Sequence, residues 1–153
     1  MSDWLVKTEP DECSIDDLAR DPQKPMPWDG VRNYQARNFL REMSRGDRVF
    51  IYHASCKRIG IAGLARVVRE AYPDPSQFDT ASPYCDPRSK PDNPRWSAVD
   101  LVFEQKFDRI LPLQQLREEP GLADLALVRR GNRLSVMPVT ADHYQIIMRM
   151  ASS

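Results

Sequence analysis

The sequence lacks the patterns that mark membrane and secreted proteins. No run of about 18 apolar residues occurs in its 153 residues, so no membrane-spanning helix and no membrane partner are expected. The first residues, Met1-Ser2-Asp3-Trp4, do not form the basic and then apolar pattern of a secretory signal peptide. The three cysteines, Cys13, Cys56 and Cys85, form no disulfide framework, so we expect a reducing, cytoplasmic compartment.

Cysteine, histidine and glycine are scarce, which argues against several chemistries. The three cysteines, Cys13, Cys56 and Cys85, are odd in number and widely spaced, so they match neither a disulfide framework nor a zinc motif. The two histidines, His53 and His143, lack the spacing of a metal-binding pair. No glycine-rich loop with a following lysine and helix is present to hold a nucleotide phosphate. We expect a monomer with no metal, no cofactor and no catalytic residues.

Positive and negative charges balance overall but are distributed unevenly along the chain. The formal net charge is zero. Residues 31–70 nevertheless carry nine basic and three acidic side chains, a net of +6, whereas residues 1–30 have a net of −5. A neutral protein with one basic segment can present a phosphate-binding surface. A charge cluster of this size is equally typical of a solvated helix face.

Apolar periodicity predicts short strands interleaved with short helices. Strands are predicted at 4–7, 49–53, 59–69, 96–107 and 133–139. Helices are predicted at 14–18, from the N-cap Asn33 to Gly46, at 114–117 and after the N-cap Thr140. Because strands and helices do not alternate regularly, the order favours a single α+β domain with a barrel-like sheet over a doubly wound fold.

Residues 28–40 concentrate side chains that bind planar or charged ligands. A proline-rich connector at 21–27 leads into Trp28 and Arg32, and Asn33, Tyr34 and Arg37 follow at the start of the helix. A tryptophan near prolines is as typical of a core as of a pocket wall. The asparagine is also explained by capping alone, and the arginines by surface ion pairs.

The ordered motifs of the chain resemble those of the EVE domain, a member of the PUA-like superfamily that is related to the YTH readers. The motifs are Trp4-Leu5-Val6-Lys7-Thr8-Glu9-Pro10, residues 28–38, Tyr52-His53-Ala54-Ser55, Gly60-Ile61-Ala62-Gly63, Trp96-Ser97-Ala98-Val99-Asp100 and Arg133-Leu134-Ser135-Val136. The resemblance covers nearly the whole chain. It implies a single EVE domain over 1–153 with a small PUA-like β-barrel flanked by short helices.

The resemblance also implies a non-enzymatic module that binds nucleic acid, either DNA or RNA, carrying a modified base. Methylated or hydroxymethylated cytosine would then be held in an aromatic pocket. The residues implied to bind the base are Trp28, Lys7, Asn33, Ser55 and Ser135, and those implied to bind phosphates are Arg32, Arg37 and Arg58. Tyr34 or Trp96 can add a second stacking surface, since every base has a face that stacks on an aromatic ring.

Two other functions stay open at the level of sequence. A small enzyme acting on a nucleotide or nucleobase would have to use His53 and Asp100, the only plausible acid–base groups. A protein-interaction module would use residues 72–95, a long segment rich in proline, aspartate and serine.

Overall fold

The computed structural model describes residues 1–152, which form a six-stranded mixed sheet with helices on both faces. The strands are β1 (Asp3–Thr8), β2 (Met26–Trp28), β3 (Arg48–His53), β4 (Gly60–Pro73), β5 (Ser97–Pro112) and β6 (Val136–Val139). The α-helices are α1 (Ile15–Arg20), α2 (Tyr34–Glu42), α3 (Leu113–Glu118) and α4 (Ala141–Ala151), and short 3-10 helices cover Pro75–Phe78, Pro120–Leu122 and Ala126–Val128. None of the helices described is long and apolar enough to cross a membrane.

The strand order confirms the α+β class but gives an open sheet. The order is β2-β5-β4-β3-β1-β6, with β1 parallel to β3 and the other neighbours antiparallel. The two ends of the sheet, β2 and β6, do not pair with each other within the residues described, so the barrel-like sheet stays open between them. Both end strands are short and contain a proline, Pro27 or Pro138, which has no N–H to donate to a closing ladder.

A hydrophobic core lies on each face of the sheet because successive side chains of a strand point to opposite faces. Trp4 and Val6 of β1 lie in the same core as Leu40 of α2. Leu5, between them in sequence, lies in the second core with Ile147 of α4. Helix α2 therefore packs on one face of the sheet and α4 packs on the other.

Strand β2 is an element that the sequence analysis missed. Met26–Trp28 pairs antiparallel with β5, and Trp28 stands opposite Val99. The prolines around it predicted a connector. An edge strand tolerates a proline, however, because the backbone groups on its outer side form no hydrogen bonds with another strand. Trp28 is therefore held by a sheet edge and not by an irregular loop.

Strands β4 and β5 are longer than predicted and joined by the segment 74–96. They contain 14 and 16 residues, and their pairing is interrupted by register shifts. Such bulges bend the strands that contain them. The joining segment packs back onto the domain, since Asp74 and Gln77 within it are fully buried.

Candidate functional site

A cavity of about 650 Å³ opens beside the sheet edge formed by β2. Its lining comes from residues 7–8 at the end of β1, residues 12–13, the segment 26–33, Tyr84 and Ser135. The volume lies in the range of roughly 300–1,000 Å³ that is typical of small-molecule sites. Stretches that are distant in sequence therefore meet around one concave surface.

The indole of Trp28 forms a wall of this cavity. The residue is only 7% exposed, so the ring is held firmly in place. The other two tryptophans donate their Nε1–H groups to carboxylates, Trp4 to Asp47 at 2.9 Å and Trp96 to Asp86 at 2.7 Å. Within residues 1–152, Nε1 of Trp28 has no protein acceptor, yet it is not sealed from solvent. Trp28 thus lines the cavity with a largely buried side chain whose Nε1–H donor has no protein partner within residues 1–152.

Three other residues predicted to bind the base, Lys7, Asn33 and Ser135, also line the cavity. The Oδ1 atom of Asn33 accepts from the backbone N–H of Ala36 at 2.9 Å, which confirms the predicted N-cap and leaves the amide NH₂ as a donor. The backbone N–H of Lys7 donates to the carbonyl of Ser135 at 2.8 Å, so these two residues share one wall. Burial lowers the pKa of the Lys7 ammonium.

Arg32 lines the cavity too, but its guanidinium is engaged within the protein. Its N–H groups donate to Asp74, to the hydroxyl of Ser76 and to the carbonyls of Val31 and Tyr84. These bonds use all five donors of an arginine. A phosphate contact at Arg32 would require one of them to break. In this structure Arg32 holds the 74–84 segment against the cavity.

Asp74 is the buried anchor of that segment. Its carboxylate is inaccessible to solvent and accepts from the backbone N–H of Gly30 at 2.9 Å and from both the N–H and the hydroxyl of Ser76. Burial alone would raise the pKa of Asp74, but the hydrogen bonds from Ser76, Gly30 and Arg32 outweigh it and lower the pKa. The charged carboxylate therefore ties the segment 26–33 to the long loop.

Tyr84 closes the cavity on the side of the long loop. Its hydroxyl donates to Glu12 at 2.5 Å, and this bond, together with burial, raises the pKa of Tyr84 to about 12. Its ring packs on Gly30, where an added Cβ would lie 3.0 Å from ring carbons. No periodicity or motif within residues 72–95 predicted this contact.

Other lining residues also went unnoticed in the sequence, among them Asp29 and Cys13. Asp29 directly follows Trp28, so attention to the neighbours of the aromatic residue would have found it. Burial beside the cavity and the nearby charge of Asp74 raise the pKa of Asp29. Burial also raises the pKa of the Cys13 thiol to about 11, which keeps it protonated at neutral pH.

Tyr34, Trp96 and Arg37 do not line the cavity but form a stack outside it. The rings of Tyr34 and Trp96 lie 4.9 Å apart at 22°, and the Arg37 guanidinium lies 4.8 Å from the Tyr34 ring. Arg37 also donates to the carbonyl of Arg95 at 3.0 Å. Tyr34 is 52% exposed, so the stack is accessible to solvent.

Ser55 and Arg58 lie in the exposed loop between β3 and β4, away from the lining of the cavity. Ser55 has φ of +54°, a left-handed conformation that is uncommon for serine. The loop follows β3 as predicted, but the turn does not bring these side chains to the wall that Trp28 forms.

The family of the chain follows from comparison with known sequences. The sequence profile of the EVE domain matches residues 2–150. The chain belongs to the EVE domain family.

Named relatives of this EVE domain cover almost its whole length. Human thymocyte nuclear protein 1 is 43% identical over 166 residues, which cover 97% of this chain and 73% of that protein. A crystal structure of a Pseudomonas putida protein is 52% identical, with a TM-score of 0.95 and coverage of 98% of this chain and 99% of that one. Human THYN1 in complex with 5-methylcytosine-containing DNA is 41% identical, with a TM-score of 0.94 and coverage of 100% of this chain and 99% of that one.

The two acid–base candidates of this EVE domain have structural partners. Nε2 of His53 accepts from the backbone N–H of Ile15 at 3.1 Å, and Asp100 accepts from the hydroxyl of Tyr72 at 2.5 Å. They lie on β3 and β5, which β4 separates, and neither lines the cavity. Within residues 1–152, no three histidine, cysteine, aspartate or glutamate side chains are grouped to hold a metal ion.

Proposed function

We propose that this EVE domain binds DNA containing 5-methylcytosine and holds the flipped, methylated base in the cavity beside Trp28, without catalysing a reaction. The observation that carries the proposal is the Trp28 indole, fixed in a cavity wall with its Nε1–H unused. A related chain, human THYN1, was crystallised with 5-methylcytosine-containing DNA.

The energetics of base flipping favour a pocket of this kind. A base that leaves the DNA stack loses a few kcal/mol of stacking and pairing. Stacking on an aromatic ring returns about 1–3 kcal/mol, which Trp28 can supply. Met26 and Val31 add apolar surface to the lining, where burial of a methyl group is worth about 0.8 kcal/mol.

The phosphates of the bound strand require cations outside the cavity. Arg32 is committed to Asp74 and the long loop, and contacts of Arg37 and Arg58 with phosphate remain predictions. The segment 129–133 ends two residues before Ser135 of the cavity wall, and its three arginines are exposed. We propose that Arg129, Arg130 and Arg133 supply part of the phosphate-binding surface.

A binding role agrees better with the site than a catalytic one. The Cys13 thiol is protonated at neutral pH, so it is a poor nucleophile. His53 and Asp100, the acid–base candidates, are engaged elsewhere. The remaining polar groups of the lining are suited to hydrogen bonding with a base edge.

Fluorescence anisotropy with labelled duplexes tests this function. One duplex carries a single 5-methylcytosine and the other carries cytosine at the same position, and both are titrated at two salt concentrations. We expect tighter binding of the methylated duplex by about fourfold, the value of one buried methyl group. Both affinities should fall as salt rises, because phosphate contacts release counterions. Equal affinities for the two duplexes would contradict the proposal.

A further inference from the structure

A reader of 5-methylcytosine must reject thymine, which carries the same methyl group at C5. The two bases differ at C4, where cytosine has an amine and thymine a carbonyl oxygen. They also differ at N3, which is an acceptor in cytosine and an N–H donor in thymine. An apolar surface that receives the methyl group therefore cannot discriminate between 5-methylcytosine and thymine. Polar groups of the cavity must do so.

The cavity offers donors that suit the two acceptors of a cytosine edge, O2 and N3. The Nε1–H of Trp28 has no acceptor among residues 1–152. In the Asn33 side chain the oxygen Oδ1 caps α2, so the NH₂ group is available to a ligand. Lys7 also contributes to the lining, and its ammonium lies 5.7 Å from the centroid of the Tyr52 ring. Donors alone would also satisfy the two carbonyl oxygens of thymine, so a further group has to discriminate.

The third group on the cytosine edge is the N4 amine, which needs an acceptor. The carboxylate of Asp29 can provide it. It lines the cavity next to Trp28 in the chain and forms no ion pair within the described residues. Glu12, the second carboxylate of the lining, already accepts from the hydroxyl of Tyr84. Asp74 is fully buried and saturated by Gly30, Ser76 and Arg32, so it cannot take a ligand bond. Among these three carboxylates, Asp29 is therefore the one best placed to bind an amine.

We propose that Asp29 accepts a hydrogen bond from the N4 amine of the flipped 5-methylcytosine and is the residue by which this EVE domain rejects thymine. The inference rests on the proposed function, because it concerns the same cavity. With thymine, the ionised carboxylate would face a carbonyl oxygen, so that two acceptors oppose each other without a proton between them. A good bidentate contact to a base edge discriminates against the wrong base by roughly 5- to 160-fold, and this single contact is expected at the lower end of that range.

The test uses three oligonucleotides that differ only at one position, which is 5-methylcytosine, cytosine or thymine. They are titrated as duplexes and as single strands, because an adenine–thymine pair opens more easily than a guanine–cytosine pair. The proteins are the wild type, Asp29→Asn and Asp108→Asn. Asp108 is exposed on β5 outside the lining, so its variant controls for loss of one negative charge.

We expect the wild type to prefer 5-methylcytosine to thymine, and Asp29→Asn to lower that ratio at least fivefold. An amide can turn its NH₂ group toward the O4 atom of thymine, whereas a carboxylate has no such donor. The ratio of 5-methylcytosine to cytosine should survive, since both carry the amine, and Asp108→Asn should keep both ratios.

An unchanged ratio of 5-methylcytosine to thymine in Asp29→Asn would overturn the assignment of Asp29. The proposed function would still stand in that case, provided that the wild type prefers 5-methylcytosine to cytosine. If the wild type shows no such preference, the proposed function fails, and the role of Asp29 fails with it.

Discussion

The guanidinium of Arg32, which lines the cavity, and the carboxylate of Asp74, 42 residues further along the chain, lie 2.9 Å from each other. Asp74 is completely buried, and the Arg32 side chain is 22% exposed. The pair joins the segment that carries Trp28 to the loop that carries Tyr84. Loss of Arg32 leaves a buried charge without an ion-pair partner, and loss of Asp74 leaves buried donors without an acceptor. The Arg32–Asp74 pair is therefore sensitive to substitution.

Replacement of Asp74 by alanine should destabilise the domain strongly. It leaves Arg32, the Gly30 N–H and the Ser76 N–H without their acceptor, so the free energy of unfolding should fall by about 3–5 kcal/mol. Urea denaturation measures this change. The matched control is Arg20→Gln, which breaks an exposed pair with Asp17 and should cost less than about 1 kcal/mol. Similar losses in the two variants would contradict the role assigned to Asp74.

Gly30→Ala should weaken DNA binding, because the new methyl group would press on the ring of Tyr84 at 3.0 Å. Gly30 also has φ of +76°, so an added side chain strains the backbone. Gly46→Ala controls for that strain, since Gly46 has φ of +93°, lies outside the lining, and an added Cβ there would meet nothing within 4 Å. Thermal melting and anisotropy should show a larger loss of stability and affinity for Gly30→Ala. Equal losses would mean that the contact with Tyr84 does not matter.

The stability of the domain should fall as the pH drops below about 6.5, because of His53. Burial lowers the pKa of His53, whose Nε2 must stay unprotonated to accept from Ile15. The unfolded chain, with an ordinary pKa of about 6.5, then binds a proton that the folded state does not, and stability decreases with falling pH. His53→Gln removes this titration and retains an acceptor. Urea denaturation at about pH 7.5 and about pH 5.5 should show a smaller decrease for the variant than for the wild type. The same decrease in both would rule out His53 as the cause.

Removal of two cations from the segment 129–133 should weaken binding regardless of methylation. The double variant Arg130→Gln, Arg133→Gln should reduce the affinity for methylated and unmodified duplexes by the same factor. It should also make the slope of log affinity against log salt shallower by about 0.9 for each lost phosphate contact. Arg109→Gln on β5 is the control, since Arg109 bonds to Gln115 and lies outside the lining. If the salt dependence of the affinity is unchanged in the double variant, Arg130 and Arg133 do not contact the phosphates.

Local patterns in the sequence predicted the local structure well. The cap at Asn33 forms as expected because it needs only residues three positions apart, and the strand alternation around Leu5 follows from period-two burial. The end of α2 was misplaced: the helix stops at Glu42, and Gly46, with φ of +93°, lies in the turn that leads to β3. Met43 already leaves the helix in an extended conformation.

Long-range contacts account for what the sequence did not reveal about the site. Arg32 has the sequence context of a surface cation, yet its partners include the carbonyl of Tyr84, 52 residues away. Tyr84 itself is bonded to Glu12, 72 residues earlier, and no local pattern encodes such a contact. Trp28 and Ser135 do meet at one cavity, as the family resemblance implied, although the binding role of each remains a prediction.

The most direct measurement compares Trp28→Phe with Trp96→Phe in anisotropy titrations of the 5-methylcytosine and cytosine oligonucleotides. Both changes remove an indole, but only Trp28 lines the cavity, and thermal melting checks that each variant is folded. We expect Trp28→Phe to weaken binding of the methylated strand, because phenylalanine offers a smaller stacking surface and no N–H donor, and to lower its preference over cytosine, because a base that is held less firmly buries less of its methyl group. Trp96→Phe should keep that preference. Undiminished preference for 5-methylcytosine in folded Trp28→Phe would contradict the claim that the methylated base is bound against this indole.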